Sequence, residues 1–170
     1  SKCSTVVFDK TGTLTKGVFE VTEIVPNGIT EERFIEAAAF AENYSNHPIA
    51  NSVKRAYKKT INAENITSEE IAGKGVKAII GEDVVLAGNK KLMDDFNIES
   101  AQTNNGTVIH VAINNKYAGY ITISDVIKPD SKIAIEKLKN NGIKNTVMLT
   151  GDSKVVAESI AKSVGINNFY

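Results

Sequence analysis

The chain has 170 residues, room for one ordinary domain or two small ones, and its 42% hydrophobic and 24% charged residues are the balance of a soluble globular protein. The 20 Lys and Arg offset the 20 Asp and Glu, and no basic stripe interleaves with aromatics, so there is no electrostatic case for nucleic acid or an anionic membrane surface. A single cysteine, Cys3, excludes a disulfide framework; with only two histidines it also argues against a transition-metal site. A reducing compartment is the natural setting. No apolar run approaches the ~18–20 residues of a membrane helix, and no export signal is visible.

In chain order, "STVVFD" (4–9) reads as a short buried strand. "FEVTEIV" (19–25) alternates like a half-exposed strand and stops at the turn signal Pro26-Asn27-Gly28. Thr30 is placed to cap a helix whose apolar side carries Phe34, Ala37, Ala38 and Ala41. Pro48 suits the first turn of a second helix, with Ile49, Val53, Ala56 and Tyr57 as its stripe. Short strands with glycine breaks follow: "VKAII", "DVVLAG", "TVIHVAI" and "KYAGYITIS", with one short helix over 90–96. This middle part predicts an antiparallel sheet with a helical pair packed on it. From Asp125 the pattern becomes helix, strand, helix. Ala134, Ile135 and Leu138 mark one helix, Gly142 is its C-terminal glycine, "NTVMLT" is a strand, and Val156, Ala157, Ile160, Ala161 and Val164 face inward from the last helix. That is the grammar of a parallel α/β sheet. The two ends share one style and the middle has another, which predicts an insertion: residues 21–120 as one domain inside another built from 1–20 and 121–170.

Asp9 closes the first strand, and an acid at the C-terminal end of a parallel strand lies where open α/β sheets place ligands. Backbone N–H groups and the hydroxyls of Thr11, Thr13 and Thr15 follow, groups suited to a phosphate. A carboxylate there can attack a phosphoryl group and form an aspartyl phosphate. A lone aspartate after a strand is more often a turn or cap residue; the full heptapeptide "DKTGTLT" at Asp9–Thr15 tips the balance. A second strand delivers Thr150, Gly151 and Asp152 at its own C-terminal end, and Thr150 could bind the transferred oxygens.

"DKTGTLT" resembles the phosphorylation motif of P-type ion-pumping ATPases, and "TGD" at Thr150–Asp152 resembles a second motif of the same domain. Asp125 resembles the aspartate that follows the return from their nucleotide-binding domain. In the middle, "SNHPIA" resembles the Ser-x-His-Pro motif of the heavy-metal subfamily, "GKGV" (Gly73–Val76) its glycine pair near the ATP phosphates, and Gly88-Asn89 a further nucleotide-site pair. The resemblance runs through the whole chain in order. It implies a haloacid-dehalogenase-like parallel α/β phosphorylation domain, C-terminally truncated, with an inserted α+β nucleotide-binding domain on an antiparallel sheet. It implies ATP and Mg²⁺ as cofactors, with adenine near Glu42 and His47 and phosphates near Gly73, Gly75 and Val76. Gly88 and Asn89 complete that set. The γ-phosphoryl would pass to Asp9, and Asp9 with the backbone carbonyl of Thr11 would be Mg²⁺ ligands.

Phosphatases on the same fold typically carry a general acid/base aspartate two residues after the nucleophile. Here that position is Thr11, which can do neither job at neutral pH, so an aspartyl phosphate on Asp9 should persist, as a pump requires. The family's phosphate-neutralising lysine and its Gly-Asp-Gly-x-Asn-Asp motif are absent from this sequence. The resemblance therefore implies a fragment that binds nucleotide with little or no turnover, monomeric or weakly associating. Its partners would be the membrane and actuator domains of the same pump, at the cytoplasmic face of the membrane. The sequence is more like the zinc, cadmium and lead branch than the copper branch. Two rival readings stand beside this one: a haloacid-dehalogenase-like phosphatase with a large cap domain, and a non-catalytic nucleotide-binding module. His47 could also simply cap the second helix, and His110 reads as an ordinary sheet histidine.

Overall fold

The computed structural model describes residues 5–9, 15–103, 106–128, 130–149 and 154–170. Two compact units result, one drawn from both chain ends (Ser1–Val18 and Asp125–Tyr170), the other from Phe19–Thr103 and Thr107–Ser124. Among the described residues no helix is long and apolar enough to cross a membrane.

The unit built from the chain ends holds a three-stranded parallel sheet. Its strands are β1 (Thr5–Asp9), β8 (Asn145–Leu149) and β9 (Asn168–Phe169), in the order β1-β8-β9. The helices α4 (Ser131–Asn140) and α5 (Lys154–Val164) provide the connections, as the α/β grammar predicts. Ile135, Met148, Ala157, Ile160, Ala161, Val164 and Ile166 form the core, with Phe8 and Phe169 against it. Side chains alternate along a strand, so Val6 and Phe8 share this covered side while Val7 and Asp9 take the other. There the expected buried strand fails: Val7 is 55% and Leu149 48% exposed. An apolar run cannot tell one covered face from two. On α4 the buried stripe is Ser131 and Ile135, with Ala134 exposed rather than inward. Positions i and i+4 lie nearly in line on a helix, so Ile135 chooses Ser131 and turns Ala134 aside. Gly142 (φ +95°) follows α4, and Ile143 N–H donates to Leu138 O, the glycine cap expected there. β9 is too short to carry a strand signature. The side chain of Val156 lies outside the described set.

The second unit is built on a six-stranded sheet in the order β2-β7-β6-β5-β4-β3, with the first residues of β2 and the last of β7 falling in the bounds of the first unit. Its strands are β2 (Thr15–Pro26), β3 (Ile66–Ile71), β4 (Gly75–Ile80), β5 (Asp83–Gly88), β6 (Thr107–Ile113) and β7 (Lys116–Ile127), and β3 to β7 pair antiparallel in succession. β3 had no sequence signal. Thr67–Glu70 are exposed and polar, and its pairing with β4 supplies what an apolar pattern does not. Helices α1 (Glu31–Ala41) and α2 (Pro48–Tyr57) cover one face, burying Phe34, Ala37, Ala38 and Val53 against Val85, Ala87, Ile109 and Val111. The short helix α3 (Lys90–Asp95) covers the opposite face through Leu92 and Met93, packed on Leu86 and Ala112. The alternation of Leu86 with Val85 and Ala87 is what separates the two faces. Alanines along α1 let its backbone lie close to the sheet, with Phe34, fully buried, as the anchor.

Phe34→Ala is expected to destabilise the protein by about 3–5 kcal/mol, the usual cost of deleting a buried phenyl ring. Urea unfolding followed by circular dichroism measures it; a loss under about 1 kcal/mol would contradict the anchoring role.

Candidate functional site

A cleft of about 420 Å³ opens in the second unit. Its walls are the α1–α2 junction (Glu42, Ser45, His47, Ile49, Ala50), the β3–β4 turn (Glu70 to Val76), the end of β5 (Ala87 to Asn89) and the start of β6 (Thr107 to Ile109). Clefts of this volume, mostly apolar with a few polar groups, are the usual form of small-molecule sites. The sequence-predicted residues Glu42, His47, Gly73, Gly75, Val76, Gly88 and Asn89 all border it.

The α1–α2 junction is fixed by hydrogen bonds that the motif itself supplies. α1 starts on Thr30, whose hydroxyl accepts from Arg33 N–H (3.3 Å), and its end is capped by Glu42. Lys54 Nζ donates to Ser45 O (2.8 Å) and Asn43 O (3.4 Å). His47 N–H donates to Ser45 Oγ (3.3 Å), and His47 Nδ1 accepts from Ile49 N–H (3.2 Å), with Pro48 in the first turn of α2. His47 is therefore the N-cap of α2 and a wall of the cleft at once. Accepting at Nδ1 places the proton of the neutral ring on Nε2. In the basic run 54–59, Arg55, Lys58 and Lys59 are exposed; Arg55 donates to Phe19 O (2.5 Å) and Lys59 pairs with Glu32 (2.6 Å).

Glu42 is 7% exposed, and burial raises its carboxyl to about 7. The Lys54 ammonium opposes that rise and the neighbouring Glu70 carboxylate adds to it. A group so poised offers hydrogen-bond acceptors when ionised and a donor when protonated.

The glycine turn is held from the opposite wall. Asn89 N–H donates to Lys74 O (2.9 Å) and Asn89 Nδ2 to Gly73 O (2.9 Å), while Asn89 Oδ1 accepts from Leu92 N–H (3.1 Å) and caps α3. Asn89 thus spends its side chain on positioning the turn. Gly75 and Gly88 pair in register, and a Cβ on either would collide with backbone of the other strand. Sequence reading of the site missed Ser45, Ile49, Ala50, Glu70, Ile71, Lys74, Ala87 and the β6 residues. Ser45, Ile49, Ala50 and Lys74 sit inside the SNHPIA and GKGV motifs; the start of β6 carries no local signal.

In the other unit, Asp9 ends β1 exposed and in register with Leu149, the end of β8. Thr11, Thr150, Gly151 and Asp152 lie outside the described residues, and Asp125 falls within β7. Among the described residues no group of three or more His, Cys, Asp or Glu could hold a metal ion. His110, buried on β6, bonds the Tyr117 hydroxyl through Nδ1 (2.8 Å), and burial lowers its pKa, which fits a sheet histidine.

The family model for haloacid dehalogenase-like hydrolases matches residues 3–170. Over 167 residues the chain is 53% identical to a cadmium, zinc and cobalt-transporting ATPase of Bacillus subtilis, matching 96% of this chain and 24% of that protein. It is 48% identical over 168 residues to a zinc-transporting ATPase of Synechocystis, matching 97% of this chain and 23% of that one. The crystal structure of a zinc-transporting PIB-type ATPase superposes with a TM-score of 0.81 at 30% identity, covering 99% of this chain and 29% of that one. The chain thus spans about a quarter of the length of the curated relatives it matches.

Because Glu42 titrates near 7 when folded and at 4.5 when exposed, the folded state holds an extra proton between those values. Glu42 therefore stabilises most below pH 4.5, and that contribution is lost as pH rises through about 7. Urea midpoints across this window should fall for wild type relative to Glu42→Gln; parallel curves would show that Glu42 is not held in this way.

Proposed function

Because this chain belongs to the haloacid dehalogenase-like hydrolase family, we propose that it is the catalytic segment of an ATP-driven heavy-metal cation exporter. In this reading residues 19–124 bind ATP, and Asp9 accepts the γ-phosphoryl group in the longer protein. The observation that carries it is the convergence of Glu42, His47 and the Gly73–Val76 turn on one cleft. The identity to a cadmium, zinc and cobalt-transporting ATPase and to a zinc-transporting ATPase favours a zinc- or cadmium-type cargo over copper. Two further proposals follow from the same relatives. The remaining domains of the pump are this segment's partners, and the segment sits on the cytoplasmic side of the membrane.

The chemistry follows from the side chains. Ionised Glu42 accepts from the exocyclic amine of adenine, and His47, fixed by its cap, presents Nε2–H or its ring face. Apolar residues such as Ile49, Val76 and Ile109 line the same cleft and exclude water from the base. In the other unit an Asp9 carboxylate oxygen attacks the γ-phosphorus, the β–γ bridging P–O bond breaks, and ADP leaves with the bridging oxygen. Mg²⁺, when bound, supplies neutralisation of the phosphate charge. The exposed Asp9 carboxylate fits that ion, which is commonly held by one or two carboxylates together with substrate phosphates. The threonine at position 11 offers no general acid or base for hydrolysis, so the aspartyl phosphate persists. The same feature speaks against a phosphatase with a cap domain.

Calorimetric titration with ATP, ADP and AMP tests this reading. Wild type should bind, and His47→Gln should bind several-fold more weakly while keeping its circular dichroism. A folded wild-type chain that binds none of the three would overturn it.

A further inference from the structure

The charged groups bordering the cleft are unbalanced. Glu42 and Glu70 bring two carboxyls, and Lys74 is the only lysine or arginine in its described lining. Three other lysines of this unit are engaged elsewhere. Lys54 holds the Asn43 and Ser45 carbonyls, Lys90 pairs with Asp94 (2.8 Å), and Lys77 lies over the Phe96 ring (5.7 Å). Lys74 sits between the two glycines of the turn, and its own ammonium is turned onto Asp95 of α3 (2.5 Å).

We propose that Lys74 is a charge-selective arm of the cleft, parked on Asp95 without ligand and exchanged onto the polyphosphate of a bound nucleotide. It would set the preference for nucleoside di- and triphosphates over the bare nucleoside. The proposal rests on the nucleotide reading of the cleft and adds a residue and a selectivity to it.

Three observations carry it. First, the Lys74 backbone is immobilised, with its N–H donating to Ile71 O and its carbonyl accepting from Asn89 N–H, both at 2.9 Å. Only the side chain is left to move, and it starts at the cleft wall. Second, the resting ion pair is a weak tether. Both partners are partly exposed (35% and 46%), and pairs of that kind contribute little once solvent screening and side-chain entropy are counted. Exchanging one carboxylate for a polyanion therefore costs little and gains charge. Third, a phosphate chain at the glycine turn meets the carboxyl of Glu70 in the same lining unless a cation is delivered there, and Lys74 is the lysine or arginine of that lining.

The test compares ATP, ADP and adenosine by calorimetry at fixed ionic strength on the full chain and three variants. Lys74→Met should weaken ATP and ADP about tenfold and leave adenosine within about twofold, the scale of one charge-assisted contact at a partly open site. Lys74→Arg should recover most of that loss. Asp95→Asn, which releases the tether, should tighten ATP about two- to threefold with adenosine unchanged. Equal weakening of ATP and adenosine by Lys74→Met would make Lys74 a structural turn residue and overturn the proposal. So would unchanged ATP affinity, or ATP binding weakened by Asp95→Asn. If wild type binds adenosine and ATP equally well, the cleft takes the nucleoside but the arm is wrong. If it binds neither, the nucleotide reading itself has failed.

Discussion

The cleft depends on a close backbone contact. Gly75 opens β4 and Gly88 closes β5, and the two strands touch where neither residue has a side chain. A Cβ on Gly75 would overlap Ala87 O, and one on Gly88 would overlap Lys74 O. That approach brings the β3–β4 turn within hydrogen-bond reach of Asn89, which ties the turn to the start of α3. The wall made by the glycine turn is therefore a consequence of strand packing. Its rigidity follows from bonds made within the protein, before any ligand arrives.

The opposite wall is built on the same economy of side chains. His47 starts a helix and borders the cleft; Asn89 does the same across from it. Glu42 closes α1 and carries the one buried carboxyl of the cleft. Residues that set helix ends are held at fixed angles by those ends, so a ligand meets preorganised groups.

Much of this organisation is legible in the sequence, for identifiable reasons. Thr30, Pro48 and the alternating runs 76–80, 83–88 and 107–113 announce their elements because caps, a fixed φ and side-chain alternation are local properties. The edge strand β3 is silent because its pairing is supplied by β4. The exposed face of β1 is silent because an apolar strand looks alike with one side covered or two. Of the site, the motif residues can be named from sequence, but the bonds of Asn89, the double duty of His47 and the ion pair of Lys74 need coordinates. Each joins residues distant in the chain or replaces an assumed ligand contact with an internal one.

The most direct test of the account is amide chemical-shift mapping of the isotopically labelled chain during addition of a non-hydrolysable ATP analogue. The account predicts saturable shifts concentrated at residues 42–50, 73–76, 87–89 and 107–109, the walls of one cleft. Shifts confined to other surfaces, or none at all in a folded sample, would contradict it.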